Sequence, residues 1–387
     1  MQHNEIRLEI YQDDEVQAAI QELFAYQSML DGMKAFLPES LYSLILQSKD
    51  NIKNSHDFQK NIIYHFIKFI IKGSVSKLTV SGLANLNPQD QYLFISNHRD
   101  IGLDSAFLNL ILFENGFPTS QIAIGDNLTK HRIAELIFRI NKSFVVKRTG
   151  TPRELYDYSI HLSNYIKNLI INKKDSVWIA QREGRAKDGN DRTQAGLLKM
   201  LSLSSNEADV KLHFQQLNIV PVAISYEYDP CSVLKVQEFL NKIINPHYEK
   251  TFQEDLNYIL LGIRGLKGHV HLNFGKPLQE DLEELDAAPG NKNKLELLAT
   301  IIDKNIHLGY YLHPINYIAY DLLMETHEYK NYYTEAAWEY HINFFENHLK
   351  AFDKENYQLG RKYLLAMYAN PLINATAQKN ATSFLTN

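Results

Sequence analysis

A single cysteine, Cys231, stands in 387 residues. That excludes an internal disulfide framework and any thiolate metal cluster built within one chain. A basic surplus is also missing. The net charge is -5, which argues against a general nucleic-acid binder, so nucleic acid is not an expected partner. No early apolar run reaches the roughly 20 residues of a membrane-spanning helix. The most apolar early stretch, NIIYHFIKFIIKGSV, is interrupted by His65 and Lys68. The opening MQHNEIRLEIYQDDE has neither a basic region nor an apolar one, so no signal peptide is expected. No Gly-x-Ser-x-Gly elbow occurs, which removes support for an α/β hydrolase.

What is present fits a globular chain with a substantial core: 45% hydrophobic and 22% charged residues. Tyrosine and phenylalanine are abundant, at 23 and 19, and tyrosine is dense in the final third. Helical spacing is read from about Glu15 and again over DFQKNIIYHFIKFIIKGSV. Then short apolar strands and helices alternate. KLTV, QYLFISN, SQIAIGDN, SFVVKR, DSVWIAQREG, LNIVPVAISYEYDP and GHVHLNFGKPL read as strands. This order predicts an α/β fold: a mostly parallel central sheet flanked by helices on both faces, with added N-terminal and C-terminal helices. The expected divisions are an N-terminal helical extension at 1–76, a catalytic domain at 77–278 and a C-terminal helical extension at 279–387. The polar tail NPLINATAQKNATSFLTN is expected to fray.

Four stretches carry candidate chemistry. In LFISNHRDIGLDSAFLN, a strand delivers His98 to the start of a helix, at the sheet edge where open α/β folds bind ligands. A histidine there can take a proton from a hydroxyl, and a nearby carboxylate can fix its tautomer. The plain alternative is a polar strand end with Asp100 as the helix cap. In SFVVKRTGTPREL, Lys147 and Arg148 end a strand beside a flexible turn, which suits an anion or is simply an exposed basic turn. In WIAQREGRAKDGNDR, Gly184 permits close backbone approach, Arg185 can grip phosphate in bidentate fashion, and Glu183 can support it. The alternative is a solvated loop with Arg182, Arg185, Lys187 and Arg192 at the surface. In LNIVPVAISYE, Pro221 lacks a ladder donor and argues for a bulge or a sheet edge near a site.

In this order the stretches resemble the four blocks of the glycerolipid acyltransferases, which include glycerol-3-phosphate and 1-acylglycerol-3-phosphate acyltransferases. NHRDIGLD stands for the first block, FVVKR for the second, REGR for the third and IVPVAISYE for the fourth. IAIGDNL and KGHVHLNFGKP agree as well, so the resemblance covers Leu78 to Leu278. It departs at one point. The family places four residues between its His and Asp, whereas five separate His98 from Asp104, and Asp100 is only two positions from His98. The apolar pattern SAFLNLIL favours Asp104 as the partner and leaves Asp100 as the alternative.

The resemblance implies an acyltransferase of membrane lipid synthesis. A fatty acyl group would pass from acyl-CoA or acyl-carrier protein to a hydroxyl of glycerol-3-phosphate or a lysophospholipid. His98 would be the base, Asp104 or Asp100 its orienting acid. Lys147, Arg148, Glu183, Gly184, Arg185 and Pro221 would bind substrate. No metal and no cofactor beyond the acyl donor is implied. GDNL and ISYE lean toward glycerol-3-phosphate as acceptor. The rival readings are a different acceptor, such as an amino-acid lipid, or an inactive lipid-binding relative. Amphiphilic substrates imply a membrane surface as partner, with the chain peripheral on the cytoplasmic side of the inner membrane, or else cytoplasmic. IIYHFIKFII is the candidate interfacial helix, the alternative being a core helix under the sheet. His269 and His271 share one strand face but have no acidic or cysteine companion, so they make poor metal ligands. Cys231 reads as a loop or structural thiol.

Overall fold

The structure, a computed structural model, describes residues 7–205 and 209–385. Its centre is a seven-stranded sheet of β1 (Val75–Ser81), β2 (Leu93–Ser96), β3 (Gln121–Gly125), β4 (Ser143–Val146), β5 (Val177–Ala180), β6 (Ile219–Tyr226) and β7 (Gly268–Phe274). The spatial order is β1-β7-β6-β2-β5-β3-β4. Every neighbouring pair is parallel except β6 and β7. The expected mostly parallel α/β sheet is therefore present.

The strands are short and apolar because helices cover both faces. Side chains alternate between two cores. Leu93, Ile95, Phe144, Val177, Ile179 and Ile219 enter one, with Leu162 and Ile166 of helix Pro152–Ile171, Leu198 of helix Ala195–Ser202 and Ile302 of helix Gly290–Leu308. Phe94, Trp178, Val220, Val222 and Leu272 enter the other, with Phe107 and Leu108 of helix Leu103–Glu114 and Ile67 and Ile70 of helix Tyr64–Ser74. That last helix contains most of IIYHFIKFII. Its apolar face is spent on the sheet, and Lys68 on its outer side pairs with Glu114 at 2.9 Å. Among the described residues, no helix is long and apolar enough to cross a membrane.

Two local expectations need correction, and one pair of helices was not foreseen. Pro221 lies neither at an edge nor in a bulge: β6 sits between β7 and β2, with Pro221 opposite Ile95. The missing N–H is tolerated because Pro221 lies just before the first β6 residue paired with β7, and the Gly275 amide still donates to its carbonyl at 2.9 Å. The tail does not fray from Asn370 through Asn380, because helix Tyr357–Leu385 runs through Pro371 and buries Leu372, Asn374 and Ala375. Helices Ser232–Ile244 and Phe252–Arg264, between β6 and β7, had no counterpart in the sequence reading.

Candidate active site

The site begins where β2 stops. At Asn97 the backbone leaves the sheet, but the side chain continues the ladder. Asn97 Nδ2 donates to the Ile224 carbonyl at 2.9 Å, and the Ile224 amide donates to Asn97 Oδ1 at 2.8 Å. The next residue, His98, is thereby released toward the carboxyl edge of the sheet. Its Nδ1 lies 2.9 Å from Asp104 Oδ2. A carboxylate accepting at that distance requires the proton on Nδ1, which leaves Nε2 as the lone-pair nitrogen.

Asp104 is fully buried and saturated. Its Oδ2 also accepts from the amides of Arg99 at 2.7 Å and Asp100 at 3.0 Å, while its Oδ1 accepts from the Tyr226 hydroxyl at 3.0 Å. This explains how the longer His–Asp spacing is accommodated: the turn curls around the carboxylate and points two successive amides at it. Asp100 has a different task. Its Oδ1 accepts from the amides of Gly102 and Leu103 at 3.0 and 2.9 Å, capping the first turn of helix Leu103–Glu114. Burial, then the charge of Asp104, raises the Asp100 carboxyl above the usual carboxylate range. The contact to His98 belongs to Asp104, and Asp100 makes the cap.

His98 opens onto a cavity of about 480 Å³. One part of its wall is apolar, including Ile124, Val146, Leu155, Ile179 and Leu197. The rest is rich in cations: Lys147, Arg148, Arg182, Arg185, Lys187 and Lys250, with Glu183 and Asp255. These fall into two groups. Arg148 lies two residues beyond β4, its Nε 3.6 Å from Glu183 Oε1 and its amide held by Asp126 Oδ2 at 3.0 Å. Gly184, at φ +67°, turns the chain through a conformation that suits glycine. Beyond it, Arg185 is buried with its guanidinium 4.3 Å from the Tyr258 ring centroid. Lys250 and Lys187 lie 5.0 and 5.5 Å from the same ring. Three cations thus gather around one aromatic ring. Glu238 anchors the cluster, accepting from the Tyr258 hydroxyl and pairing with Lys187, both at 3.0 Å. Burial and the neighbouring Arg185 lower the Lys187 ammonium to about 7, against the pull of Glu238. Arg182 Nε and Arg185 Nη1 are buried without a protein hydrogen-bond partner among the described residues. Buried donors of this kind, on a cationic wall, suit an anion.

The sequence-derived residues His98, Lys147, Arg148, Glu183, Gly184 and Arg185 all meet at this cavity. Asp104 stands behind His98. Pro221 does not line the cavity; it stays inside the sheet. Sequence reasoning missed Lys250, Asp255 and Tyr258, because the helical hairpin that supplies them carries no motif. It also missed Tyr226, whose place as the final residue of β6 made it look like ordinary core. The cavity does not include Cys231, which is buried with its thiol pushed up to about 12 by burial and then Asp229.

A model of the Acyltransferase family matches residues 77–225. That segment of the chain is similar to the acyltransferase family. It contains His98, Asp104, Lys147, Arg148, Glu183 and Arg185, but not Tyr226, Lys250 or Tyr258. Among curated proteins, the chain is similar to the glycerol-3-phosphate acyltransferase of Ectopseudomonas mendocina (strain ymp), 27% identical over 201 residues, covering 52% of this chain and 23% of that one. It is also similar to the glycerol-3-phosphate acyltransferase of Pseudomonas aeruginosa (strain LESB58), 23% identical over 254 residues, covering 62% and 29%. The matched part spans between a fifth and a third of these relatives' length. Among solved structures, the 1-acyl-sn-glycerophosphate acyltransferase of Thermotoga maritima aligns with 10% identity and a TM-score of 0.34, covering 76% of this chain and 95% of that chain.

Proposed function

We propose that the protein transfers a fatty acyl group from a thioester to the hydroxyl of a phosphate-bearing acceptor, glycerol-3-phosphate or a lysophospholipid. The observation carrying this reading is the His98–Asp104 pair opening onto a cavity lined by both cations and apolar side chains. The cations suit the acceptor's phosphate and the apolar lining an acyl chain. Acyl-CoA and acyl-carrier protein are the expected donors, and no resident cofactor is invoked. Amphiphilic substrates favour a membrane surface, with the protein peripheral on the cytoplasmic side of the inner membrane, or else cytoplasmic.

His98 Nε2 takes the proton of the acceptor hydroxyl as its oxygen attacks the thioester carbonyl. Asp104, held by two amides and a hydroxyl, steadies the imidazolium that forms. The tetrahedral intermediate collapses, the C–S bond breaks, and the leaving thiolate recovers the proton from His98. The products are an ester and a free thiol. Holding both substrates in one cavity removes much of the entropic part of the barrier. Arg185 and Lys187 bind the phosphate, with Arg148 and Lys147 lining the same cavity. A direct transfer, without an acyl-enzyme, fits a site whose buried Cys231 thiol lies outside the cavity.

The test is transfer of a labelled acyl group from acyl-CoA and acyl-carrier protein to a panel of acceptors. Ester formation with a phosphate-bearing acceptor supports the reading. Equal transfer to acceptors lacking phosphate would replace it with a different acceptor class, and absence of any transfer would point to an inactive relative.

A further inference from the structure

Helices Gly290–Leu308 and Tyr357–Leu385 lie outside the matched segment, yet both close on the loop that follows β5. Asn370 Nδ2 donates to the Asp188 carbonyl at 2.7 Å, and Asn374 Nδ2 to Asn190 Oδ1 at 3.2 Å. Between them, Gly189 sits at φ +73°, and a Cβ there would collide with the Met367 carbonyl oxygen. That carbonyl is four residues before Pro371, which has no N–H to offer it. The proline therefore removes a ladder donor at the point where the loop comes closest. From the other helix, Asp303 Oδ1 accepts from both the amide and the hydroxyl of Thr193 at 2.7 Å, and His307 Nε2 donates to the Asp191 carbonyl at 2.8 Å.

The loop so held reaches the reaction centre by two routes. Along the chain, it continues directly from Arg185 and Lys187. Through space, the buried Asp191 carboxylate lies 3.5 Å from Arg99 Nη1. Arg99 follows His98, and its own amide donates to Asp104. Its guanidinium is also 3.8 Å from Asp229, and its carbonyl accepts from Lys235 Nζ at 2.8 Å. The Tyr368 hydroxyl, on the same long helix, accepts from the Asp229 amide at 3.0 Å. One helix thus grips both carboxylate-bearing segments that flank Arg99. Buried charges of this kind are sensitive to displacement of any one partner.

We propose that helix Tyr357–Leu385 is a positioning element of the catalytic centre. By fixing the turn 188–191 through Asn370, it sets the Arg185 and Lys187 cations and, through Asp191 and Arg99, the His98 turn. This rests on the reading of the cavity given above, so the test carries one readout that needs no turnover.

Asn370→Asp keeps the side-chain shape and removes the donor; Asn370→Ala controls for the added charge. Hydrogen–deuterium exchange of the full chain is measured together with kinetics on palmitoyl-CoA and glycerol 3-phosphate. Both variants should keep the wild-type melting temperature within a few degrees. Both should exchange faster over 185–193 and 97–103, and raise the glycerol 3-phosphate KM about threefold to tenfold, the scale of one hydrogen bond, with the palmitoyl-CoA KM unchanged. Gly189→Ala should show the same pattern more strongly. Faster exchange confined to 357–385, with unchanged KM values, would overturn the proposal. If wild type forms no ester, the functional reading falls, and unaltered exchange over 185–193 and 97–103 would still overturn the coupling.

Discussion

Asp104 and Tyr226 are 122 positions apart in the chain, yet the tyrosine hydroxyl donates to the aspartate at 3.0 Å. The carboxylate that meets His98 is thus tied to the last residue of β6. With the two amides of the turn, that bond leaves Asp104 fixed in a buried setting, aimed at a single imidazole nitrogen.

His98→Ala should abolish the proton transfer while leaving the cavity intact. Turnover is expected to fall about 10²- to 10⁴-fold, with a normal melting temperature. Measuring kcat for ester formation checks this, and near-normal turnover would remove His98 from the chemistry.

The two aspartates should separate cleanly. Asp104→Asn places an amide where three N–H donors and a hydroxyl converge, so kcat should fall roughly 10²- to 10⁴-fold through the wrong imidazole tautomer. Asp100→Asn keeps a capping oxygen and should leave kcat within a few-fold, with a stability change of about 1 kcal/mol or less. Paired kinetics and thermal melts decide. A larger kcat loss in Asp100→Asn would reverse the assignment.

Lys187 provides a pH signature. Its ammonium is lowered to about 7, so it is charged below that pH and loses its charge above it. A phosphate monoester is already largely dianionic by then, since its second pKa is about 6. The acceptor KM should therefore rise between pH 7 and 9, by about tenfold for a lost charged hydrogen bond. Lys187→Arg, charged throughout, should flatten the profile. An unchanged slope in that variant would show that another group titrates.

Arg185→Lys keeps the charge but loses the guanidinium's contact with the Tyr258 ring and its capacity for a two-pronged grip. The expected result is a higher acceptor KM with the donor KM unchanged. Equal increases for both substrates would mean that Arg185 does not discriminate between them.

The sheet was largely legible because its strands are buried on both faces, so each reads as a short apolar run between turn signals. LFIS and VWIA are of this kind, and helix period separates them from their neighbours. The first and third blocks were legible for the same reason: polar residues such as His98 and Arg185 interrupt apolar runs abruptly. What stayed hidden depends on distance in sequence. Nothing near Tyr258 announces that its ring carries Arg185, and nothing near Asn370 announces the loop at Asp188. The tail from Asn370 misled outright. Its polar composition predicts fraying, whereas burial of Leu372, Asn374 and Ala375 carries the helix through Pro371. Pro221 misled likewise, because a proline at the margin of an antiparallel partner is compatible with a central strand.

The bond from Tyr226 to Asp104 also bears on how the protein comes into being. During synthesis the histidine and its acid emerge together, but the hydroxyl that completes their setting follows more than a hundred residues later. Until β6 threads in beside β2, the acid lacks its buried anchor. The nascent chain is therefore expected to stay chemically silent while most of the sheet's strands are already made, and competence to arrive with long-range closure and not with local turns.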